Sequence, residues 1–406
     1  MNVLYISYDG MTDSLGQSQV LPYLERLSSK GYIFTILSFE KKKNYNLNKF
    51  TIEKICKKNN ITWEPIFFHS KPRGLSKIYD LFLMRRKANI LYKEHKYSLI
   101  HCRSYQSAHT ALMLKKKYSA KYLFDMRGFW VDERIDGGIW DQKKWYYKLL
   151  YNYCKRIEDK LISSSDAIIS LTKAGKSEIQ SWESYKSNPI SVIPTCADFK
   201  VFKLVQENNR VQEKEILGFH KKDIVISYLG SLGTWYMLDE MFDFIKMVSD
   251  KNNKIKFLFI THDDKSKVLS KIAEKELDIS NFKVVSASRN EVPRFLQASN
   301  LNLFFINPSY SKIASSPTKL GEVFSMGIPV ICNGNVGDVE EIVNDIVAGG
   351  YVIKDFNNLN YIDAYKSINK LLKIQPDKIR ENAKPYYDIT FGVKSYLKVY
   401  EKIVSA

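Results

Sequence analysis

Nowhere in these 406 residues does an apolar run approach the roughly 20 consecutive residues that a membrane-crossing helix needs. The chain opens on a strand pattern, Asn2 to Tyr8, with no basic leader and apolar core ahead of it, so the cytoplasm is the expected location. Cysteine is scarce. Cys56, Cys102, Cys154, Cys196 and Cys332 are scattered, odd in number and without metal-ligand spacing, which argues against a disulfide framework and leaves reduced, mostly buried small residues. GxGxxG and Walker patterns are missing as well, so neither a dinucleotide nor a P-loop nucleotide is indicated.

What is present is ordinary for a globular chain, with 45% hydrophobic and 26% charged residues. The length exceeds one core and suits two domains. Charge is distributed unevenly. Of the net +18, residues 1–200 carry +15 (34 Lys+Arg against 19 Asp+Glu) and the remainder +3 (28 against 25). Clusters at Lys41 to Lys43, Arg85 to Lys87 and Lys115 to Lys117 fit an anionic partner of the first half, such as lipid headgroups, a lipid-linked diphosphate or nucleic acid. A solubilising charge excess explains them equally well.

Along the chain, strand patterns at Asn2–Tyr8, Ile33–Phe39, Ile61–Phe68, Leu99–Cys102 and Tyr122–Asp125 alternate with helical patterns near Ser18–Lys30, Ile78–Glu94 and Ala108–Lys116. Such alternation predicts a parallel sheet covered by helices, with ligands beyond the carboxyl ends of the strands. In the turn DGMTDSLGQSQ, Gly16 would let a ligand approach the backbone, and Gln17 to Gln19 offer donors at a helix start. Two adjacent strand ends are polar: His101, Arg103, Ser104 and Tyr105 after one, Asp125, Arg127 and Gly128 after the next. The stripe Tyr146, Leu150, Tyr153, Ile157 and Leu161 reads as core packing in preference to a membrane-surface helix. Residues 201–222 are poor in periodicity and read as the inter-domain connection and its first helix. A second alternating series follows, with strands at Asp223–Leu229, Ile255–Ile260, Phe282–Ser286 and Leu301–Ile306.

The stretch Ser315 to Cys332, SSPTKLGEVFSMGIPVIC, organises the rest. Ser316 suits a helix N-cap, Pro317 a first helical position, and Gly327 with Pro329 a sharp stop before an apolar strand. Leu320, Val323 and Phe324 share one face, with Thr318 and Glu322 pointing away from it. The free amides from Ser316 to Lys319 and the charge of Lys319 suit a diphosphate, and Glu322 could accept from the two hydroxyls of a ribose.

This stretch resembles the donor-binding helix of glycosyltransferase family 4, in which a run like PTKLxEYxAxGxPVI is common. DMRGFWVDERIDGG is similar to the DxRG segment of some members, and ISVIPTCAD to the VIPNGVD strand that ends their first domain. The resemblance implies an α/β GT-B architecture: Rossmann-like domains at 1–200 and 201–385 facing across a cleft, and a last helix, 386–406, crossing back to the first. It implies a retaining transferase that takes a sugar from a nucleoside diphosphate. Gly16, Gly230, Ser231, Arg289, Ser316, Thr318, Lys319 and Glu322 then bind the donor, and Gln17, Arg103 and Tyr105 the acceptor. Arg127 is the catalytic candidate at the reacting sugar or leaving phosphate, oriented by Asp125. The family's first glutamate falls here on Ala314, and its Arg and Lys after the glycine fall on Ser231 and Tyr236.

No DxD motif is present, so no metal and no cofactor are expected. The expected partners are a nucleotide sugar and a glycan or lipid-linked acceptor, with peripheral contact to an anionic membrane through the basic half and no nucleic acid. A nucleotide-sugar epimerase of the same architecture and a non-catalytic polyanion- or membrane-binding protein are the rivals. The enzyme reading stakes itself on Glu322: a carboxylate outside the cleft, or already held in a buried ion pair, would reduce it to a likeness of shape.

Overall fold

The computed structural model describes residues 1–72 and 74–405. These divide into two units. The first comprises 1–194, 313–315 and the C-terminal segment from Ile389; the second comprises 195–312 and 316–388.

In the first unit the strands are β1 (Asn2–Ser7), β2 (Ile33–Glu40), β3 (Thr62–Phe67), β4 (Leu99–Arg103), β5 (Tyr122–Asp125), β6 (Ala167–Ser170) and β7 (Ile190–Val192). They form one parallel sheet in the order β3-β2-β1-β4-β5-β6-β7. β1, β4, β5 and β6 are buried at nearly every position and mostly apolar because helices cover both faces, the burial that parallel strands require. The strand order reverses at the β1/β4 boundary. This is a topological switch point, so a crevice opens beyond the carboxyl ends of β1 and β4.

The second unit repeats the plan with β8 (Ile224–Leu229), β9 (Ile255–Ile260), β10 (Phe282–Val285), β11 (Leu301–Phe304), β12 (Val330–Asn333) and β13 (Gly350–Ile353), ordered β10-β9-β8-β11-β12-β13 and all parallel. Its switch point lies between β8 and β11. Phe242, Phe257, Phe259 and Phe282 stack through the core beside these strands, their near-parallel rings filling the layer between sheet and helix. Among the described residues no helix is long and apolar enough to cross a membrane.

Several local readings are corrected here. The single helix expected near Ser18–Lys30 is two, Ser14–Gln19 and Leu21–Ser28, because the chain turns at Val20 and restarts with Pro22 in the first turn. Gly16 is not open to a ligand. It is buried inside the first of these helices, where an added Cβ would stand 2.2 Å from the carbonyl oxygen of Gly10. Gly16→Ala should therefore cost about 1–3 kcal/mol of folding free energy through backbone overpacking. A lowered melting temperature with unchanged ligand affinity is the expected result, and the reverse would restore Gly16 to a binding role. The aromatic stripe is the third correction. Only its C-terminal part is core: Leu161 is buried, whereas Tyr146, Leu150 and Tyr153 are exposed.

Candidate functional site

The helix at the centre of the sequence reading runs Thr318–Ser325, starting one residue later than its apparent cap suggests. Pro317 is its N-cap, and Ser316 makes no cap bond. Ser316 instead accepts from the Thr195 amide at 3.3 Å, while Thr195 Oγ1 donates to the Ser316 carbonyl at 2.7 Å. The first amides of the helix have no carbonyl one turn back to bond, as at any helix start. Its face is buried all round: Lys319 and Glu322 are as enclosed as Leu320 and Val323, so neither points to solvent as the period had implied.

Enclosure changes the chemistry of both groups. Lys319 is 6% exposed, and its Nζ has no hydrogen-bond partner. It lies 3.8 Å from the Tyr236 ring centroid, 4.4 Å from that of Tyr228 and 5.5 Å from that of Phe304. Burial drives its pKa well below the usual lysine range, against a weaker upward pull from Glu322. Gly230, at the carboxyl end of β8 with φ +131°, supplies the space: a Cβ there would meet Lys319 Nζ at 2.9 Å. Ser231 is exposed, and its carbonyl accepts from the Tyr228 hydroxyl. Tyr236, standing where the family carries a cation, is thus a wall of the box that holds one. Thr318 is half-buried at the helix start.

Glu322 is held by Arg289, whose Nη1 lies 2.5 Å from Oε1, with the arginine itself over the Phe202 ring at 4.8 Å. Burial raises the carboxyl pKa, and Arg289 and then Lys319 oppose that rise. The condition set against the enzyme reading is met at this residue, so Glu322 is no longer the unpaired acceptor expected. Arg289 is 27% exposed, which leaves its guanidinium accessible at the rim of the same site.

The first unit gathers a second cluster at the ends of β4 and β5. Asp125 is 1% exposed; its Oδ2 accepts from the Tyr396 hydroxyl at 2.9 Å and pairs with His101 Nε2 at 3.3 Å. His101 Nδ1 lies 2.6 Å from the Tyr400 hydroxyl. Both tyrosines come from the C-terminal helix Ile389–Ser405, a contribution with no local signal in the sequence. Arg127 Nη1 is 3.9 Å from Asp125 Oδ1, and its Nε has no hydrogen-bond partner. Arg103 Nε donates to Asp9 at 3.2 Å, while its Nη1 is likewise unpartnered. Ser104 and Arg127 both have φ in the left-handed region, +67° and +60°, a strain of about 1–3 kcal/mol each that is typical of functional strand ends. Burial raises the Asp125 pKa, but Arg127, His101 and Arg103 outweigh it and the net shift is downward; burial lowers that of His101.

One of the expected acceptor contacts is structural. Tyr105 is buried and donates its hydroxyl to Glu158 at 2.6 Å, so it is withdrawn from the site. Gln17, half-buried, braces the loop after β1 by donating to the Thr12 carbonyl. That loop is pinned by Glu40, which accepts from the Met11 and Thr12 amides and the Thr12 and Ser38 hydroxyls. Glu40 lies at the end of an apolar strand, and nothing in its neighbourhood announced this task. Ala314, in place of a glutamate, is buried in the apolar core of the first unit against Gly175.

A mostly apolar box with one unpartnered ammonium, at the switch point of a parallel sheet and beside a helix start, offers an anion a partner for that charge. Comparison with known proteins agrees with the architecture. HepE of Anabaena, solved in complex with UDP and glucose, superposes with a TM-score of 0.72 at 11% identity over 99% of each chain. Sucrose-phosphate synthase of Thermosynechococcus elongatus gives 0.73 at 13% over 100% of this chain and 99% of its own. WaaG, a glycosyltransferase involved in lipopolysaccharide biosynthesis, gives 0.68 at 15% over 100% of both. No curated protein matches the sequence significantly. The fold is that of the GT-B glycosyltransferases, two Rossmann-like domains each built on a parallel sheet. Residues 20–201 match the Glycosyltransferase Family 4 model and residues 223–371 the model of Glycosyl transferases group 1. The chain belongs to the family-4-like glycosyltransferases and is an enzyme of sugar transfer. That class rests on the family match, so the Arg289 pair revises the role of Glu322 and leaves the class standing.

Proposed function

We propose that this enzyme takes a sugar from a nucleoside diphosphate sugar bound by the second unit and delivers it, with its anomeric configuration kept, to a glycan or lipid-linked acceptor of the cell envelope. The observation that carries the reading is the Lys319 ammonium, buried among three aromatic rings with no hydrogen-bond partner. A cation in that setting is unfavourable unless an anion joins it, and a diphosphate reaching past Gly230 supplies one. The Thr318 and Lys319 amides add the partial positive charge of a helix start. As the sugar leaves, charge gathers on the diphosphate, and these groups meet it without moving, which is electrostatic catalysis by preorganisation. Glu322 and Arg289 reach the ribose and base side of the donor, their ion pair opening or sharing as hydroxyls arrive. The unpartnered donors of Arg127 and Arg103 support a role at the transferred sugar or the leaving phosphate. The Anabaena complex with UDP and glucose favours a nucleotide sugar over other phosphorylated ligands.

Screening nucleotide sugars for thermal stabilisation tests the donor half. A ligand at a hundred times its dissociation constant adds about 2.7 kcal/mol to the folded state, enough for a clear shift. One nucleoside diphosphate sugar should stabilise more than its nucleoside monophosphate, and NMR of the product should show a retained anomeric configuration. Release of a free altered donor without any acceptor would turn the assignment to an epimerase. No stabilisation by any nucleotide sugar would remove it.

A further inference from the structure

The carboxyl edge of the first sheet carries a pair of side chains that no step above uses. β3 ends at Phe67, and two residues on, His69 Nδ1 lies 2.6 Å from Oδ1 of Asp80, a residue in the second turn of the helix Leu75–His95. Oδ2 of the same carboxylate accepts from the His69 amide at 3.2 Å and from the Tyr8 hydroxyl at 2.8 Å. Asp80 is fully buried, whereas the His69 side chain is 41% exposed. The carboxylate therefore holds the histidine at two points, its backbone and its ring.

That hold decides which ring nitrogen faces outward. A carboxylate only accepts, so Nδ1 carries the proton shared with Asp80, and Nε2 is left at the outer end of the ring. In the neutral imidazole Nε2 is a lone-pair acceptor, and among the described residues no hydrogen bond reaches it. Beside it stands Tyr79, 50% exposed, with its ring centroid 5.1 Å from that of His69 and the two planes at 79°. Imidazole edge and phenol ring thus make a corner on the surface of the unit.

The corner belongs to the switch point. β3, β2, β1 and β4 are parallel neighbours, so His69 lies beyond the same edge of the sheet as Arg103. Tyr8 and Asp9 follow β1 in succession: Tyr8 bonds Asp80, and Asp9 accepts from Arg103 at 3.2 Å. One strand end therefore holds both the dyad and the arginine expected at the acceptor. Phe39 and Phe68 pack on the Tyr8 ring at 5.0 and 5.7 Å, which fixes the anchor from the side of the sheet.

Chemistry selects the occupant. Nε2 receives a proton donor but offers nothing to a phosphate or carboxylate oxygen, which itself only accepts. A sugar has both halves of the complement: hydroxyls that donate, and a face of C–H bonds that suits the negative face of an aromatic ring.

We propose that His69 and Tyr79 form a sugar subsite of the first unit, in which Nε2 receives one hydroxyl of the acceptor and the tyrosine ring carries the sugar's apolar face, so that the acceptor is itself a glycoside. The subsite rests on the acceptor half of the reading above and narrows it; Asp80 and Tyr8 position the imidazole without touching the sugar. The probes are the methyl glycosides of glucose, galactose, mannose and N-acetylglucosamine, followed by saturation-transfer NMR on the full chain. At least one should receive saturation, and Tyr79→Ala should abolish it. Two further substitutions separate binding from scaffolding. His69→Asn places an amide near Nδ1, keeping the Asp80 bond with nothing at the outer end, and should weaken the glycoside about three- to tenfold, the worth of one hydrogen bond. His69→Gln places its amide near Nε2 and should keep most of the affinity. If the imidazole only braces its loop, that order reverses, and the reversed order overturns the subsite. So does saturation of none of the four glycosides, or a long-range proton–nitrogen spectrum showing the Nε2–H tautomer of His69 at mildly alkaline pH. Stabilisation by nucleotide sugar should be equal in parent and variants, because the groups proposed for the donor belong to the second unit. A parent that binds a glycoside through His69 yet is stabilised by no nucleotide sugar would sink the donor reading and leave the subsite standing.

Discussion

Lys319→Met is expected to melt at a higher temperature than the parent without ligand, and to lose nearly all stabilisation by a nucleotide sugar. The two effects have one cause. In the free protein the ammonium has no hydrogen-bond partner and is 6% exposed, a situation costing about 1–3 kcal/mol. Its contacts with Tyr228 and Tyr236 return part of that, about 0.5–2 kcal/mol. Methionine fills the same apolar box at similar length with nothing to desolvate, so a net gain of about 1 kcal/mol should remain, a shift of roughly 2–4 °C. With the diphosphate present the balance inverts, because truncating one partner of a buried, hydrogen-bonded charge pair costs about 2–5 kcal/mol. Taking about 3 kcal/mol, donor affinity should fall on the order of a hundredfold.

The pH dependence of Lys319 gives a second readout. Burial lowers the folded-state pKa while the unfolded chain keeps the ordinary lysine value, so between the two the unfolded chain holds the extra proton. Stability should thus rise with pH across that window, and the rise should be absent in the methionine variant. A bound diphosphate pulls the pKa back up. Above the free-state value, donor binding should therefore take up a proton, visible as a calorimetric enthalpy that depends on the buffer. An unchanged dissociation constant in Lys319→Met, or a parent that takes up no proton, would contradict the placement of the diphosphate.

The repeating strand and helix units were legible because burial on both faces forces apolar runs such as Ile255–Ile260, and because Gly327 and Pro329 punctuate sharply. The residues singled out for the site were legible, and their geometry was misread. Periodicity placed Glu322 on an outer face, but a helix packed on every side has no outer face, and single-helix period cannot reveal what packs from beyond it. Ser316 has the composition of a cap and spends its groups on Thr195, a partner 121 residues away. The row on Trp145–Ser164 failed for the opposite reason: an apolar stripe looks the same in sequence whether it packs on the core or stands exposed. Tyr396, Tyr400 and Glu40 act across long separations and carry no local signal. Family resemblance supplied what periodicity could not, namely the reason to propose Lys319 for a donor site, while the departures at Ala314, Ser231 and Tyr236 became interpretable only with neighbours in view.

Asp125→Asn should destabilise the first unit by about 3–5 kcal/mol while leaving donor affinity unchanged. The carboxylate is 1% exposed and faces Arg127, Arg103 and His101, so an isosteric amide keeps the shape but leaves the enclosed Arg127 guanidinium without its compensating charge, while Arg103 keeps Asp9. It also sets the hydrogen bonds of His101 and Tyr396 in competition, because an amide nitrogen cannot accept where Oδ2 did. The proposed donor site lies on a separate sheet, and so denaturation of the variant should separate into two transitions of which only one has moved. Acid titration sharpens the test. The folded pKa of Asp125 is depressed, so its contribution is fully present above the ordinary carboxylate value and is lost as pH falls through the folded one. The asparagine variant should lack that loss. His101 adds a separate limb at higher pH: burial lowers its folded pKa, so below about pH 6.5 the unfolded chain binds the proton first and stability declines. If Asp125→Asn melts with the parent and turns over as fast, the cluster is ornamental and Arg127 is positioned by something else. If it folds less stably yet transfers sugar normally once folded, Asp125 holds the strand ends together without aiming Arg127 at the reacting sugar. The expected result is loss of both, with kcat falling and KM for the donor unmoved.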